Sequence, residues 1–174
     1  CIAKSGGRID ISFQDLQHLT NQFANVLRSR GLQEGNKVYA LLGRVPELYI
    51  AALGSLKAAC VFCPLFSAFG PEPIRTRMEI GSANALITTA SIYKRKIAAW
   101  RDELDSLKLV LILGDEAPEG CVALGPALDA AAPFDETGRR GAMAVVRLPV
   151  LVAKQIDRTQ SGAALAEAGS VSDD

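Results

Sequence analysis

The chain is short of the side chains that most often carry acid–base and metal chemistry. It has a single histidine, His18, in 174 residues. No nucleophile or orienting carboxylate is spaced to work with it, so it is read as a structural or exposed residue and not as a catalytic base. Net charge is also missing, because 19 Lys and Arg balance 19 Asp and Glu. That balance gives no electrostatic footprint for nucleic acid, an anionic membrane or a basic partner. No Gly-x-Gly-x-x-Gly follows the first predicted strand, which removes the small dinucleotide-binding enzymes. The chain opens Cys1-Ile2-Ala3-Lys4-Ser5-Gly6-Gly7, with neither an initiator methionine nor a signal-like apolar core. That start reads as the interior of a larger coding sequence.

Cysteine is present but not clustered with histidine. Cys60 and Cys63 are spaced Cys-x-x-Cys in an apolar, strand-like run, while Cys1 and Cys121 stand apart. The reading is buried, reduced, structural thiols, which favours a reducing cytoplasm over a disulfide framework or a metal pair. The stretch from Leu48 to Phe69 is strongly apolar, yet it contains Lys57, Gly54 and Pro64. A membrane span tolerates a central charge poorly, so a buried helix followed by a buried strand explains it better.

Apolar residues make up 49% and charged residues 22% of the chain, which is enough for one globular core. Arg8 to Ile11 is a short edge-strand candidate. Ser12 and Asp15 form a capping box ahead of a helix whose stripe is Leu16, Leu19, Phe23 and Leu27, ended by Gly31. Lys37 to Gly43 is the first central strand. Pro46 and Glu47 start an Ala-rich helix to about Ala59, with small side chains suited to close approach to a sheet. Cys60 to Leu65 is apolar on both faces, as a covered parallel strand should be. Pro71 and Pro73 sit in the first turn of a third helix with Ile74 and Met78 inside.

Ala83 to Thr88 is a third strand. A fourth helix from Ser91 carries the stripe Tyr93, Ile97, Trp100 and Leu104, and Lys108 to Leu113 is a fourth strand. Beyond Asp115 the expectation is a short strand over Gly120 to Leu124 and one or two helical turns over Pro126 to Ala132. Then come a polar linker over Phe134 to Gly141, a Val-rich run from Ala142 to Ala153 and a frayed end from Gln160. Strands separated by helices of these lengths predict an α/β fold, a three-layer arrangement of a mostly parallel sheet flanked by helices.

Gly35-Asn36-Lys37-Val38, Lys57-Ala58-Ala59, Pro64-Leu65, Phe69 and Arg77, in this order and at these intervals, resemble the first domain of the adenylate-forming (AMP-binding) acyl-CoA synthetases. The continuation Phe66-Ser67-Ala68-Phe69-Gly70-Pro71-Glu72 is closest to the acetyl-CoA synthetase branch. The resemblance covers residues 9 to 128 and implies a partial N-terminal domain over residues 1–134 with a divergent tail over 135–174. It implies a parent ligase that joins acetate or another short-chain acid to CoA with ATP and Mg2+, giving acyl-CoA, AMP and pyrophosphate. The partners so implied are a small carboxylic acid, CoA and the missing remainder of the synthetase.

The family's Thr/Ser/Gly phosphate loop ending in Pro-Lys has no counterpart here. Thr159-Gln160-Ser161-Gly162 is the nearest run and lacks the lysine. The isolated chain is therefore expected to be inactive, with no catalytic residue and no tightly bound cofactor. One partial site is implied by the resemblance: the turn at Ala68, together with Lys94, Arg95 and Lys96, near the nucleotide end of CoA. Ala68 stands where the family has glycine, a slight obstruction to backbone approach. Three consecutive helical cations cannot share one face, so one or two of them could meet a 3'-phosphate, and a solvated helix surface is the alternative. A non-catalytic α/β binding module descended from such an enzyme is the second functional reading.

Overall fold

The computed structural model describes residues 10–131. Expectations for Arg8, the linker, the Val-rich run, the tail over 135–174 and Thr159–Gly162 lie outside those residues. Asp10 and Ile11 are not strand.

The first helix, α1, spans Phe13–Ser29. Its capping box is formed as the sequence predicts: the Asp15 amide donates to Ser12 Oγ at 3.1 Å, and the Ser12 amide donates to Asp15 at 3.2 Å. The Ser12 hydroxyl, donating to Asp15 Oδ2 at 2.6 Å, and then the Ser12 amide hold the Asp15 carboxyl below its ordinary pKa. Then come β1 (Lys37–Leu41), α2 (Pro46–Lys57), β2 (Val61–Pro64), α3 (Pro71–Ile80), β3 (Ala85–Thr88) and α4 (Ala90–Lys96). After a 3-10 turn over Arg101–Glu103 follow β4 (Leu109–Ile112), β5 (Val122–Ala123) and α5 (Leu124–Asp129).

The five strands of the described residues are all parallel, in the order β2-β1-β3-β4-β5. Alternation along each strand divides the core in two. Val38, Ala40, Ala85, Ile87, Leu109 and Leu111 meet α1 and α2 on one face. Tyr39, Leu41, Leu86, Val110 and Ile112 meet α3 and α4 on the other. Three layers result, as the alternation of strands and helices requires. Asn84 ties the amino ends together: Lys37 N–H donates to its Oδ1 at 2.8 Å, and Lys108 N–H to its carbonyl at 2.9 Å.

Two further expectations are corrected. β2 is not a covered strand but an edge of the sheet among the described residues, half-exposed along its length, with Val61 47% exposed. Val61 N–H and Leu65 N–H both bond towards β1, so the alternating residues Phe62 and Pro64 direct their main chain outwards. Pro64 has no amide proton to offer there, which suits an edge and not a centre. The second correction concerns the fourth helix. Tyr93, Ile97, Trp100 and Leu104 are all buried, as the stripe demands. The helix nevertheless stops at Lys96, where Ala98 N–H reaches back to Tyr93 O over five residues at 3.0 Å. That wide closure breaks the 3.6-residue repeat, and a separate 3-10 turn delivers Leu104.

Three helices end in the same way. After α1, α2 and α3, the amides of Leu32, Cys60 and Ala83 bond to the carbonyls of Leu27, Ser55 and Met78, at 3.0, 2.9 and 2.9 Å. The residue before each is left-handed: Gly31 (φ 82°), Ala59 (φ 60°) and Ser82 (φ 50°). This is the Schellman closure, which glycine fits at no steric cost. Gly81 sits one residue earlier and has another purpose, since a Cβ there would fall 1.8 Å from Tyr39 Oη. Ala59 therefore carries backbone strain that glycine would relieve. Ala59→Gly should stabilise the chain by about 1 kcal/mol, seen as a rise in the urea midpoint. An unchanged midpoint would show that the left-handed turn costs nothing.

Candidate functional site

In an open parallel sheet the loops at the carboxyl ends of the strands form the natural ligand crevice, most of all where the strand order reverses. Here the chain leaves β1 for β2 on one side and returns to β3 on the other. The segments at that edge are Leu42–Val45 after β1, Leu65–Gly70 after β2, and Thr89 after β3. Thr88 Oγ1 donates to Leu41 O at 2.9 Å and joins the last residues of the two central strands. Thr89 caps α4, accepting from the Ile92 amide at 3.3 Å.

The turn after β2 is held by side chains from both following helices. The Lys96 ammonium donates to the carbonyls of Ser67 at 2.7 Å and Phe69 at 2.6 Å. The Arg77 guanidinium lies 4.5 Å from the centre of the Phe69 ring, and Phe66 meets the same ring edge-on at 5.5 Å. Arg77 also donates to Pro73 O at 2.9 Å, which keeps it on α3. Two cations thus fix Phe69, one through its ring and one through its carbonyl.

The structure brings Lys96 and the Ala68 turn together, as the sequence reading groups them, but through a contact that reading did not contain. Lys96 spends donors on main-chain oxygens, so it serves the turn's shape before any anion. Lys94 and Arg95 are exposed, and Arg95 Nε returns to Ser91 O within α4 at 3.2 Å. Ala68 is exposed, and its backbone is not among the left-handed positions. The substitution of a family glycine therefore imposes no conformational strain at Ala68. The strained departure is Ala59, in the Lys-Ala-Ala segment. Asn36 Oδ1 accepts from the Gln33 amide at 3.1 Å and fixes the turn before β1. No signal in the sequence announces the Lys96 bonds, because a lysine reaching across 27 and 29 residues leaves no periodic trace.

The remaining chemistry-bearing side chains are structural. Cys60 packs into the core on the α1–α2 face, and Cys63 packs on the α3–α4 face. The Cys-x-x-Cys pair therefore straddles the sheet, and burial pushes both thiols up from their ordinary pKa. Burial and a hydrogen bond to Cys121 push the Tyr93 phenol up to about 12. His18 is exposed on α1. Among the described residues no three His, Cys, Asp or Glu side chains stand together to hold a metal ion. No helix of the described residues is long and apolar enough to cross a membrane.

Residues 2–144 match the AMP-binding enzyme family. The chain is 33% identical over 110 residues to the acetyl-coenzyme A synthetase of Bacillus subtilis, covering 63% of this chain and 19% of that protein. It is 31% identical over 129 residues to a mitochondrial acyl-coenzyme A synthetase of Mus musculus, covering 74% of this chain and 22% of that one. Among solved structures, the acyl-CoA synthetase of Brucella canis superposes with a TM-score of 0.67 at 28% identity, over 76% of this chain and 25% of its own. The chain thus spans about a fifth to a quarter of the length of the relatives it matches. With the family match extending over most of its length and the same parallel α/β unit in a solved relative, the chain belongs to the AMP-binding enzyme family.

Proposed function

We propose that this chain contributes the N-terminal α/β segment of an ATP-dependent acid–thiol ligase acting on acetate or another short-chain acid. In the reaction the carboxylate displaces pyrophosphate from ATP to form an acyl-adenylate. The CoA thiol then displaces AMP and loses its proton. The observation that carries the reading is the similarity over residues 2–144. The Bacillus relative's name and the Phe66–Phe69 segment favour the acetate branch. The mouse relative is nearly as similar, so the class proposed is a small carboxylic acid and not acetate alone.

The described residues do not fit ATP and Mg2+. They contain neither a Thr/Ser/Gly loop followed by lysine nor a grouped set of carboxylates. What they fit is the edge of a CoA site. The turn at Ala68, held by Lys96 and Arg77, would present its backbone, while Lys94 and Arg95 would supply charge to a 3'-phosphate. In this reading Lys96 acts by shaping the turn.

The isolated chain should release no acid- and CoA-dependent pyrophosphate above a protein-free control. Its sequence has no Thr/Ser/Gly run ending in Pro-Lys to supply preorganised donors for the triphosphate, each worth about 3 kcal/mol in such transition states. A chimera with this segment in place of the matching part of the Bacillus synthetase should release pyrophosphate with acetate. A folded chimera inert towards every straight-chain acid from acetate to octanoate would overturn the proposed function.

A further inference from the structure

A tyrosine buried on a central strand carries a hydroxyl that needs a partner. Tyr39, in the middle of β1, is 7% exposed and faces the α3–α4 layer. Its Oη donates at 3.2 Å to Arg77 O, a carbonyl in the last turn of α3 that also takes the Gly81 amide at 3.0 Å. Gly81 makes room for the contact, because a Cβ there would overlap the phenol oxygen. The Cys63 thiol, directly across from Tyr39 in the β1–β2 register, lies within hydrogen-bond reach of the same hydroxyl. Burial first, and Cys63 after it, push the phenol's pKa up, so the hydroxyl keeps its proton and stays a donor.

One hydroxyl therefore touches both β2 and α3, the two elements that the turn over residues 65–70 connects. Arg77 is exposed, so packing does not fix it. Its carbonyl is held by the Tyr39 phenol from below. Its guanidinium runs back along α3 to Pro73 O at 2.9 Å and lies 4.5 Å from the centre of the Phe69 ring. A connected path thus leads from β1 through Arg77 to the turn, which the Phe69 amide closes on Phe66 O at 3.0 Å. This path is separate from Lys96, which reaches the turn from α4 through main-chain oxygens.

We propose that Tyr39 is a positioning residue: its phenol sets the seat of α3 on the sheet, and Arg77 and the Phe69 ring carry that setting to the Ala68 turn. The consequence for CoA binding rests on the proposed function. Acting from beneath the turn, Tyr39 changes how well CoA is held and not how fast the bound acid reacts.

Tyr39→Phe keeps the ring and removes only the hydroxyl. In the 174-residue chain it should speed exchange of the Phe69 amide about fivefold relative to the amides of β3 and β4, the scale of one ordinary hydrogen bond. Beside Arg77→Met, which removes the guanidinium, the same change should add less than about twofold, because residues that act through one path are not additive. In the Bacillus chimera Tyr39→Phe should raise the KM for CoA about fivefold, while kcat and the KM for ATP stay within about twofold of the parent. Phe69 exchange unmoved by Tyr39→Phe overturns the inference, as does an undiminished effect beside Arg77→Met. A loosened turn with an unmoved KM for CoA overturns Tyr39's part in binding. An inert chimera counts against the proposed function alone, since exchange in the chain itself still decides whether Tyr39 holds the turn.

Discussion

Phe23→Ala is expected to destabilise the chain by about 4 kcal/mol, within the range for deleting a fully buried aromatic ring. Phe23 is completely buried and lies where α1 crosses α2. The crossing is close because Gly54 has no side chain: a Cβ there would stand 2.7 Å from Phe23 Cδ1, 2.8 Å from Phe23 Cβ and 3.0 Å from Thr20 O. Gly54→Val should therefore cost about 3 kcal/mol through overpacking. Gly54→Ala should remain unfavourable even together with Phe23→Ala, because the Cβ at position 23 and the Thr20 carbonyl stay in place. Urea unfolding of the single and double variants measures each term. Gly54→Ala as stable as the parent would mean that the helices separate freely.

Lys96→Ala should cost about 2 kcal/mol, the scale of charge-assisted bonds lost at a partly buried position. The loss should be local to the turn over residues 65–70, read as faster amide exchange there with the core strands unchanged. Lys94→Ala with Arg95→Ala should leave the unfolding midpoint within about 0.5 kcal/mol of the parent, since both side chains are exposed. Removing all three cations together would mix these effects, so the pair without Lys96 is the cleaner probe of any charge contribution to CoA binding. If Lys96→Ala leaves exchange in the turn unchanged, the two carbonyl contacts do not hold it.

The main lines of the fold were legible because each rests on a local signal. The Ser12–Asp15 box sets the start of α1, the stripe Leu16–Leu19–Phe23–Leu27 sets its inner face, and Gly31 sets its end. Pro71 and Pro73 mark the start of α3, with Ile74 and Met78 fully buried beneath. Helix-length spacing between apolar strands is sufficient for a parallel sheet. Composition could not show that α2's small residues serve α1, because Gly54 against Phe23 is a fact about where two helices cross. Nor could the apolar run at Cys60–Leu65 distinguish an edge from a centre, since strand order is set by crossovers and not by the strand itself.

The candidate site divides in the same way. Ala68, Lys94, Arg95 and Lys96 could be grouped from the order of segments, yet their roles differ by contacts that span the chain. Lys96 reaches two carbonyls on the turn, Arg95 turns back to Ser91, and Lys94 faces solvent. By itself the sequence determined which residues are apolar, where the capped helices begin and which apolar segments form the four main strands, because propensity, capping and periodicity act over a few residues; the expected strand at Arg8–Ile11 had no such apolar signal, and Asp10 and Ile11 are not strand. Only the tertiary structure decided which strand is the edge, which cation is spent on backbone and which alanine is strained. Those outcomes depend on distances between segments far apart in the chain, and such distances exist only once the sheet is assembled.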